Sequence, residues 1–164
     1  MAEVTLGGNP VHTSGELPQV GSPAPSFSLV GTDLSEVSNG DFDGKNLVLN
    51  IFPSVDTPTC AQSVRTFNER AAGLDDTAVL CVSADLPFAQ KRFCGSEGID
   101  DVVSGSTFRS SFGSDYGVDL TDGPLAGVLA RAVVVVGPDG TVKHSQLVGE
   151  IGEEPDYDAA LSSI

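Results

Sequence analysis

The stretch NLVLNIFPSVDTPTC, residues 46–60, sets the arrangement of the central part of the chain. Residues 46–52 form a short, nearly continuous apolar run, which is typical of a strand covered on both faces. Pro53 ends this run, and Thr57 followed by a proline is a common sequence at the start of a helix. The stretch therefore predicts a buried strand that leads into a helix, with Cys60 in the first helical turn.

The stretch PTCAQSVRTFNERAAG, residues 58–73, fits a helix together with the residue that ends it. Val64, Phe67 and Ala71 fall on one face of it, and Gly73 stands just past its end. This spacing predicts that the face carrying the three apolar side chains packs against the sheet to which the preceding strand belongs.

Further strands and helices follow along the chain. Apolar, β-branched runs at 78–83 and 132–136 predict two more buried strands. A second helix is predicted at 85–94, with Asp85 as its N-terminal cap, and a last helix at 155–164. A Gly-Pro-Asp-Gly turn after the 132–136 run predicts a hairpin with an alternating strand that follows it.

The N-terminal segment has a different pattern of polar and apolar residues. Polar and apolar residues alternate in EVTLGGNPVHTSG, residues 3–15, which predicts a small hairpin, and a Pro-rich connector follows it. We expect this piece to be an appendage. The order of the remaining elements, β-α-β-α, an irregular segment, a β-hairpin and a helix, is that of the thioredoxin-like α/β fold. We predict one domain over residues 1–164, with residues 1–25 as its hairpin and connector.

The composition argues against several classes of partner. Eight Lys and Arg residues and 23 Asp and Glu residues give a formal net charge of -15, which repels nucleic acid and anionic membrane surfaces. The first ten residues contain no basic segment followed by an apolar one, and no run approaches the roughly 20 apolar residues of a membrane span. These observations predict a cytoplasmic protein that binds neither nucleic acid nor membranes.

The three cysteines, Cys60, Cys81 and Cys94, do not have the number or spacing of a structural disulfide framework or of a zinc site. Their number is odd, and the sequence has neither a C-x-x-C pair nor a nearby histidine that would complete a zinc site. Cys81 lies within the predicted strand 78–83, where it is expected to be a small core residue. Cys94 ends the second predicted helix, where it can be partly exposed.

Cys60 has a position that favours ionisation. If Thr57 is the helix cap, Pro58 and Thr59 are the first two helical residues and Cys60 is the third. The unpaired N–H groups of a first turn carry partial positive charge, which favours a thiolate over a thiol. Taken alone, the residue could equally be a small buried side chain at a helix start, and its neighbours favour the reactive interpretation.

These residues resemble a known family. Pro53, Thr57 and Cys60 match the peroxiredoxin pattern Pro-x-x-x-Thr-x-x-Cys. The segments VTLGGNPV, NIFPSVDTPTC, LPFAQKRFCG and GPLAGVLARAVVVV resemble more narrowly the bacterial thiol peroxidases, the atypical two-cysteine peroxiredoxins, and the likeness extends over residues 3–163. The resemblance implies a thioredoxin-like fold of the peroxiredoxin type with an N-terminal β-hairpin extension.

The resemblance also implies the reaction and its residues. Cys60 would attack hydrogen peroxide or an alkyl hydroperoxide and become a sulfenic acid. Thr57 would hydrogen-bond the thiolate or the peroxide, Pro53 would shield the pocket from water, and Arg131 would supply fixed positive charge. Without the resemblance, an arginine at a strand start is most simply a solvated strand end.

In the same family a second cysteine resolves the sulfenic acid, and Cys94 matches it. The implied intrachain Cys60–Cys94 disulfide would be reduced by thioredoxin in a homodimeric antioxidant enzyme that needs no metal or organic cofactor. Two helical cysteines form a disulfide only when their Cα atoms approach within about 7 Å. We therefore expect local unwinding around Cys60, Cys94 or both on oxidation.

Two other functions and several residues remain open at this point. A redox sensor or regulatory binding protein would use the same cysteine pair without turnover, and a thioredoxin-like electron carrier is disfavoured by the absence of C-x-x-C. His12 and His144 are expected at the surface. Three aromatic residues could line a pocket for alkyl peroxides or simply fill the core: Phe88, Phe93 and Phe112.

Overall fold

The computed structural model describes residues 1–71 and 73–164. Its strands are β1 (Glu3–Leu6), β2 (Asn9–His12), β3 (Ser28–Gly31), β4 (Glu36–Ser38), β5 (Asn46–Ile51), β6 (Thr77–Ser83), β7 (Val103–Ser106), β8 (Ala132–Val136) and β9 (Val142–Leu147). Its helices are α1 (Pro58–Arg70), α2 (Pro87–Glu97), α3 (Phe112–Asp115) and α4 (Tyr157–Ser162), with a 3₁₀ turn at Asn39–Phe42. The helix α1 has 13 residues, and no helix in the described ranges is long and apolar enough to cross a bilayer.

The main sheet has seven strands in the order β4-β3-β7-β6-β5-β8-β9, and β1 pairs with β2 in a separate two-stranded sheet. The strands β5, β6 and β7 run parallel to one another, and β8 runs antiparallel to β5. The carboxyl end of β5 therefore lies beside the beginning of β8. This arrangement confirms the thioredoxin-like α/β fold with an N-terminal hairpin.

Both faces of the sheet are covered, as the continuous apolar runs predict. Along β8, Val134 belongs to the core cluster on one face, whereas Val133 and Val135 belong to the cluster on the other. Successive side chains of a strand point to opposite faces, so a strand with a core on each side needs apolar residues at every position. The same reasoning holds for β5, where Val48 and Leu49 are both fully buried on opposite faces.

The helix α1 confirms the predicted start and the predicted buried face. Thr57 is its cap residue, and Val64, Phe67 and Ala71 are buried. The helix ends at Arg70, earlier than predicted, and position 72 lies outside the described residues.

The predicted cap of α2 is wrong. Leu86 is the cap residue and the helix runs to Glu97, three residues past Cys94. Asp85 does not cap the helix because its carboxylate accepts hydrogen bonds from the loop between β5 and α1 instead. Gly98 ends the helix with a positive φ of 67°, a conformation in which glycine carries no steric penalty.

The β3–β4 hairpin and the strand β7 are not predicted from the sequence. The strand β7 has the sequence VSGS and lies in the segment that was predicted to be irregular. Its small residues allow close packing between neighbours, since a Cβ atom at Gly105 would lie 2.7 Å from Leu29 Cδ1. A strand whose residues are small so that a neighbouring strand can pack closely against it has no run of apolar residues. The hydrophobic pattern of the sequence therefore does not predict it.

The N-terminal hairpin is more closely integrated than the appendage that the sequence predicted. Val4 and Val11 of the hairpin pack with Leu120, Ala130 and Ile151 in a third core cluster. Backbone hydrogen bonds also join the hairpin to the segment after β9, both from Thr5 N–H to Gly149 O (2.8 Å) and from Ile151 N–H to Thr5 O (2.8 Å).

The partly exposed side chain of His12 also joins the two strands of this hairpin to each other and to Asp122. His12 Nδ1 lies 2.7 Å from Asp122 Oδ2, and its Nε2 lies 3.3 Å from Glu3 Oε2. The hydrogen bond to Asp122 is the main cause that raises the pKa of His12 above its usual value of 6.5. A histidine whose pKa is raised by folding contributes stability that is complete below about pH 6.5 and is lost as the pH rises through the folded value.

We therefore expect His12→Gln to destabilise the protein more at about pH 5.5 than at about pH 9. Urea unfolding of both proteins at the two pH values measures the difference. Asp122→Asn, studied by NMR, should return the His12 titration towards the ordinary range. Equal destabilisation by His12→Gln at both pH values would contradict the expectation.

Candidate active site

Cys60 lies shortly after the strand β5, in the first turn of the helix α1. It is the third residue of α1, two positions after the proline that starts the helix, and its side chain is 0% exposed. Phe52, Val55 and Val64 belong to the same core cluster. The thiol is thus held at the first turn of a helix and shielded from bulk water, which is the position that the sequence predicts.

The side chain of Arg131 contacts this thiol directly. Its Nη2 lies 3.2 Å from Cys60 Sγ, and its Nε donates a hydrogen bond to Ile151 O at 2.8 Å. Arg131 is 2% exposed and immediately precedes β8, whose first residue pairs with the last residue of β5. Antiparallel pairing of these two strands therefore brings together two side chains that are 71 residues apart in sequence.

The guanidinium retains one free donor. Arg131 Nη1 is buried and has no hydrogen-bond partner among residues 1–71 and 73–164. A buried polar group without a partner is uncommon in folded proteins, and at a reactive site it indicates a place for a bound molecule. A guanidinium keeps its positive charge at neutral pH, so the site combines a nucleophile with a permanent cation.

The loop between β5 and α1 holds the other two residues that the sequence singled out. Pro53 is buried and stands two residues after the end of β5. Thr57 caps α1 without a side-chain hydrogen bond to the helix, and its Oγ1 donates instead to Ser54 O at 3.1 Å. The structure thus places Thr57 one turn before the thiol with its hydroxyl hydrogen engaged within the loop.

Asp85, which the sequence predicts to be a helix cap, fixes this loop instead. Its carboxylate accepts hydrogen bonds from Ser54 Oγ (2.7 Å), Val55 N–H (2.9 Å) and Ser83 Oγ (2.7 Å). Asp85 stands between β6 and α2, so it ties the loop before Cys60 to the start of the helix that carries Cys94. No pattern local to Asp85 indicates this role, because the two partners in the loop, Ser54 and Val55, are 30 or more residues away in sequence.

Cys94 lies apart from the Cys60–Arg131 contact. Its side chain is partly buried in α2, and its Sγ is 3.6 Å from Ser104 Oγ. It lines a cavity of about 410 Å³ together with Lys91 and Asp33, and no residue of α1 lines that cavity. Cys60, Cys81 and Cys94 are all free thiols in this structure.

Ion pairs connect α2 to the region around Cys60. Arg92 Nη2 lies 2.8 Å from Asp56 Oδ1 in the loop before α1, and Arg65 Nη2 of α1 lies 2.6 Å from Glu97 Oε1. The two α2 members, Arg92 and Glu97, stand on either side of Cys94 in the sequence. These pairs are partly or largely exposed, so solvent screening keeps the contribution of each to stability small.

Cys81 is a buried core residue, as predicted. It lies in β6, is 2% exposed, and has Asn50 Nδ2 as a weak donor at 3.8 Å. Burial is the main cause that raises the pKa of its thiol to about 12. A thiol that stays protonated at neutral pH is a poor nucleophile.

The remaining predicted residues lie outside the site or support it by packing. Phe93 is buried in the cluster that contains Cys60, Phe112 is buried on the opposite face of the sheet, and Phe88 is 66% exposed. His12 is at the surface as expected, whereas His144 is half-buried and burial lowers its pKa. Within the described ranges, no group of three His, Cys, Asp or Glu side chains is placed to hold a metal ion.

This geometry defines a class of protein: a thioredoxin-like fold with a buried cysteine at a helix start, paired with a buried arginine. A family model described as Redoxin matches residues 19–161. A thiol peroxidase of Mycobacterium tuberculosis is 62% identical over 164 residues, which cover 100% of this chain and 99% of that protein. A thiol peroxidase of Corynebacterium glutamicum is 58% identical over the same length.

Solved structures agree with the sequence relatives. A peroxiredoxin-like protein from Aquifex aeolicus has a TM-score of 0.93 at 43% identity, covering 99% of this chain and 95% of that one. A thiol peroxidase from Chromobacterium violaceum has the same fold, with a TM-score of 0.89 at 22% identity and the same coverage. The chain belongs to the redoxin family and, within it, to the thiol peroxidases.

Proposed function

We propose that the protein reduces hydroperoxides with Cys60 as nucleophile and Cys94 as the thiol that resolves the oxidised enzyme. The observation that carries this proposal is the 3.2 Å contact between Arg131 Nη2 and Cys60 Sγ in a buried site. A charge-assisted contact of this kind stabilises the thiolate, and the thiolate is the reactive form of cysteine.

In the first step the Cys60 thiolate attacks one oxygen of the peroxide. A sulfur–oxygen bond forms, the oxygen–oxygen bond breaks, and the departing oxygen takes a proton to leave as water or an alcohol. The sulfur is oxidised to a sulfenic acid by two electrons, and the peroxide is reduced by two. Negative charge develops on the departing oxygen, and the free Nη1 donor of Arg131 is suited to stabilise it.

Thr57 and Pro53 have supporting roles in this proposal. The Thr57 hydroxyl binds the thiolate or the peroxide after rotating away from Ser54 O, which it contacts in this structure. Pro53 has no backbone N–H and is buried beside the cysteine loop, so it excludes water without competing for the peroxide.

In the second step the Cys94 thiol attacks the sulfenic sulfur, a disulfide forms, and water leaves. Cys94 faces a cavity that no residue of α1 lines, so the two sulfur atoms meet only after a local rearrangement. The exposed ion pairs of Arg92 and Glu97 can be broken at low free-energy cost. We propose that the N-terminal turn of α1, the segment around Cys94, or both unwind.

A dithiol donor closes the cycle by reducing the disulfide with two electrons. We propose thioredoxin as this donor, hydrogen peroxide and alkyl hydroperoxides as substrates, and a cytoplasmic homodimer of single-domain subunits, residues 1–164, as the working form. None of these steps requires a metal or an organic cofactor. The thiol peroxidases to which the chain is similar support the peroxidase activity in this proposal.

Cys94→Ser separates the two steps. We expect the variant to be oxidised once by peroxide at nearly the wild-type rate and to lose turnover with thioredoxin, thioredoxin reductase and NADPH, because no second thiol resolves the sulfenic acid. Stopped-flow oxidation and NADPH consumption measure the two steps. Cys81→Ser is the matched control and should retain both, since that thiol is buried and protonated.

Two results would count against this cycle. Full turnover by Cys94→Ser would exclude Cys94 as the resolving residue. A wild-type protein that forms the disulfide once and is not recycled by thioredoxin would point to a different reductant or to the redox-sensor function.

A further inference from the structure

The segment 149–152, between β9 and α4, contacts the site through two successive carbonyl groups. Ile151 O accepts the hydrogen bond from Arg131 Nε at 2.8 Å. Gly152 O accepts one from Thr59 Oγ1, the residue before Cys60, at 3.0 Å. The position of this segment therefore affects both the Arg131 guanidinium and the first turn of α1, which lie on either side of the contact with the Cys60 thiol.

Glu150 holds the segment in place. Its carboxylate accepts hydrogen bonds from Thr5 Oγ1 (3.0 Å), Gly7 N–H (3.3 Å), Gly8 N–H (2.9 Å) and Gly152 N–H (3.0 Å). Three of these four donors belong to the N-terminal hairpin. The carboxylate is thus the centre of a junction between the hairpin and the segment that contacts Arg131.

The hairpin turn has the conformation that this junction needs. Gly7 and Gly8 have φ values of 58° and 84°, a left-handed region that other residues rarely adopt. Successive N–H groups in such a turn can converge on one anion. Backbone hydrogen bonds, led by those from Gly152 and Gly8, lower the pKa of Glu150 to about 2. The carboxylate is therefore ionised throughout the pH range in which the enzyme would work.

We propose that Glu150 is a positioning residue for peroxide reduction, which couples the N-terminal hairpin to Arg131 by fixing the segment 149–152. This inference rests on the proposed function of Arg131. Neither Glu150 nor the hairpin hydrogen-bonds Cys60 in the described structure, so the effect passes through the Ile151 and Gly152 carbonyl groups.

The expected effect follows from the sensitivity of catalysis to geometry. A shift of about 1 Å in a group that orients the reacting atoms can cost about a hundredfold in rate. Loss of the Glu150 carboxylate loosens the segment and does not remove it, because the Thr5 backbone bonds remain. We therefore expect Glu150→Ala to lower the kcat/KM for peroxide by about tenfold.

Three variants make the test specific. Glu150→Ala should show the tenfold loss, and Glu150→Gln a smaller one because an amide oxygen still accepts hydrogen bonds. Glu153→Ala, which removes an exposed carboxylate three residues after Glu150 and just beyond the segment 149–152, should retain wild-type kinetics. In Glu150→Ala, the rate of Cys60 alkylation at a fixed neutral pH, followed by mass spectrometry, should fall as the cation becomes less well placed.

A double-mutant cycle with Arg131→Met distinguishes this inference from the function on which it rests. If Glu150 acts through Arg131, adding Glu150→Ala to Arg131→Met should change the kcat/KM by less than about twofold. Additive losses, or an unchanged kcat/KM in Glu150→Ala and Glu150→Gln alike, would overturn the inference. Failure of Arg131→Met alone to reduce activity would instead overturn the proposed role of Arg131.

Discussion

Cys60→Ser is expected to abolish peroxide reduction, with a loss of more than about 10⁴-fold, in the range that removal of a covalent nucleophile costs other enzymes. Serine keeps the size of the side chain and can still accept a hydrogen bond from Arg131, so the variant should remain folded. A hydroxyl does not ionise near neutral pH as a thiol does, and its oxygen cannot form the sulfenic acid on which the cycle depends.

The measurement is peroxide consumption with thioredoxin, thioredoxin reductase and NADPH, together with thermal unfolding of each variant. Cys81→Ser is again the matched control, because it makes the same chemical change at a thiol in the same core cluster. Activity that survived in a folded Cys60→Ser protein would overturn the mechanism, and equal losses in both variants would show that the substitution acts through the core.

Arg131→Met is expected to give the second-largest loss, about 10²–10³-fold in the rate of Cys60 oxidation, as removal of one electrostatic donor does elsewhere. Methionine has a similar length and suits a buried site, whereas it carries no charge and donates no hydrogen bond. The Cys60 thiolate then loses its only contact with a cation in the described structure, and the departing oxygen loses the donor proposed for it.

Arg131→Lys serves as the conservative comparison. A lysine restores the charge, but a single ammonium cannot reproduce the planar fork that contacts Ile151 O and Cys60 Sγ together. We expect its oxidation rate, measured by stopped flow, to lie between those of wild type and Arg131→Met. Wild-type rates in Arg131→Met would exclude the arginine from the mechanism.

Contacts made by Asp85 and Arg92 link the loop before Cys60 to the helix that carries Cys94. Asp85 joins the loop before Cys60 to the start of α2, and Arg92 joins α2 back to Asp56 in that loop. Movement of the Cys94 helix therefore disturbs the loop that carries Thr57. In the proposed cycle, opening for disulfide formation and closing for peroxide attack would therefore involve the same set of contacts.

The sequence predicted those parts of the fold whose causes are local. The strands β5, β6 and β8 were predicted because a sheet with a core on each face demands continuous apolar runs. The strand β7 was not predicted, because close packing between Gly105 and Leu29 selects small residues without an apolar pattern. The β3–β4 hairpin was not predicted either, since its strands have only four and three residues.

By itself, the sequence determined the thioredoxin-like fold, the place of Cys60 at a helix start and the likeness to the peroxiredoxins, since propensity, capping and motif spacing act over a few residues. Only the tertiary structure decided which groups meet Cys60. Arg131 reaches the thiol because β8 pairs with β5, and Glu150 bears on Arg131 because the N-terminal hairpin packs against the segment after β9. These contacts join residues distant along the chain, and such pairings depend on the packing of the whole sheet.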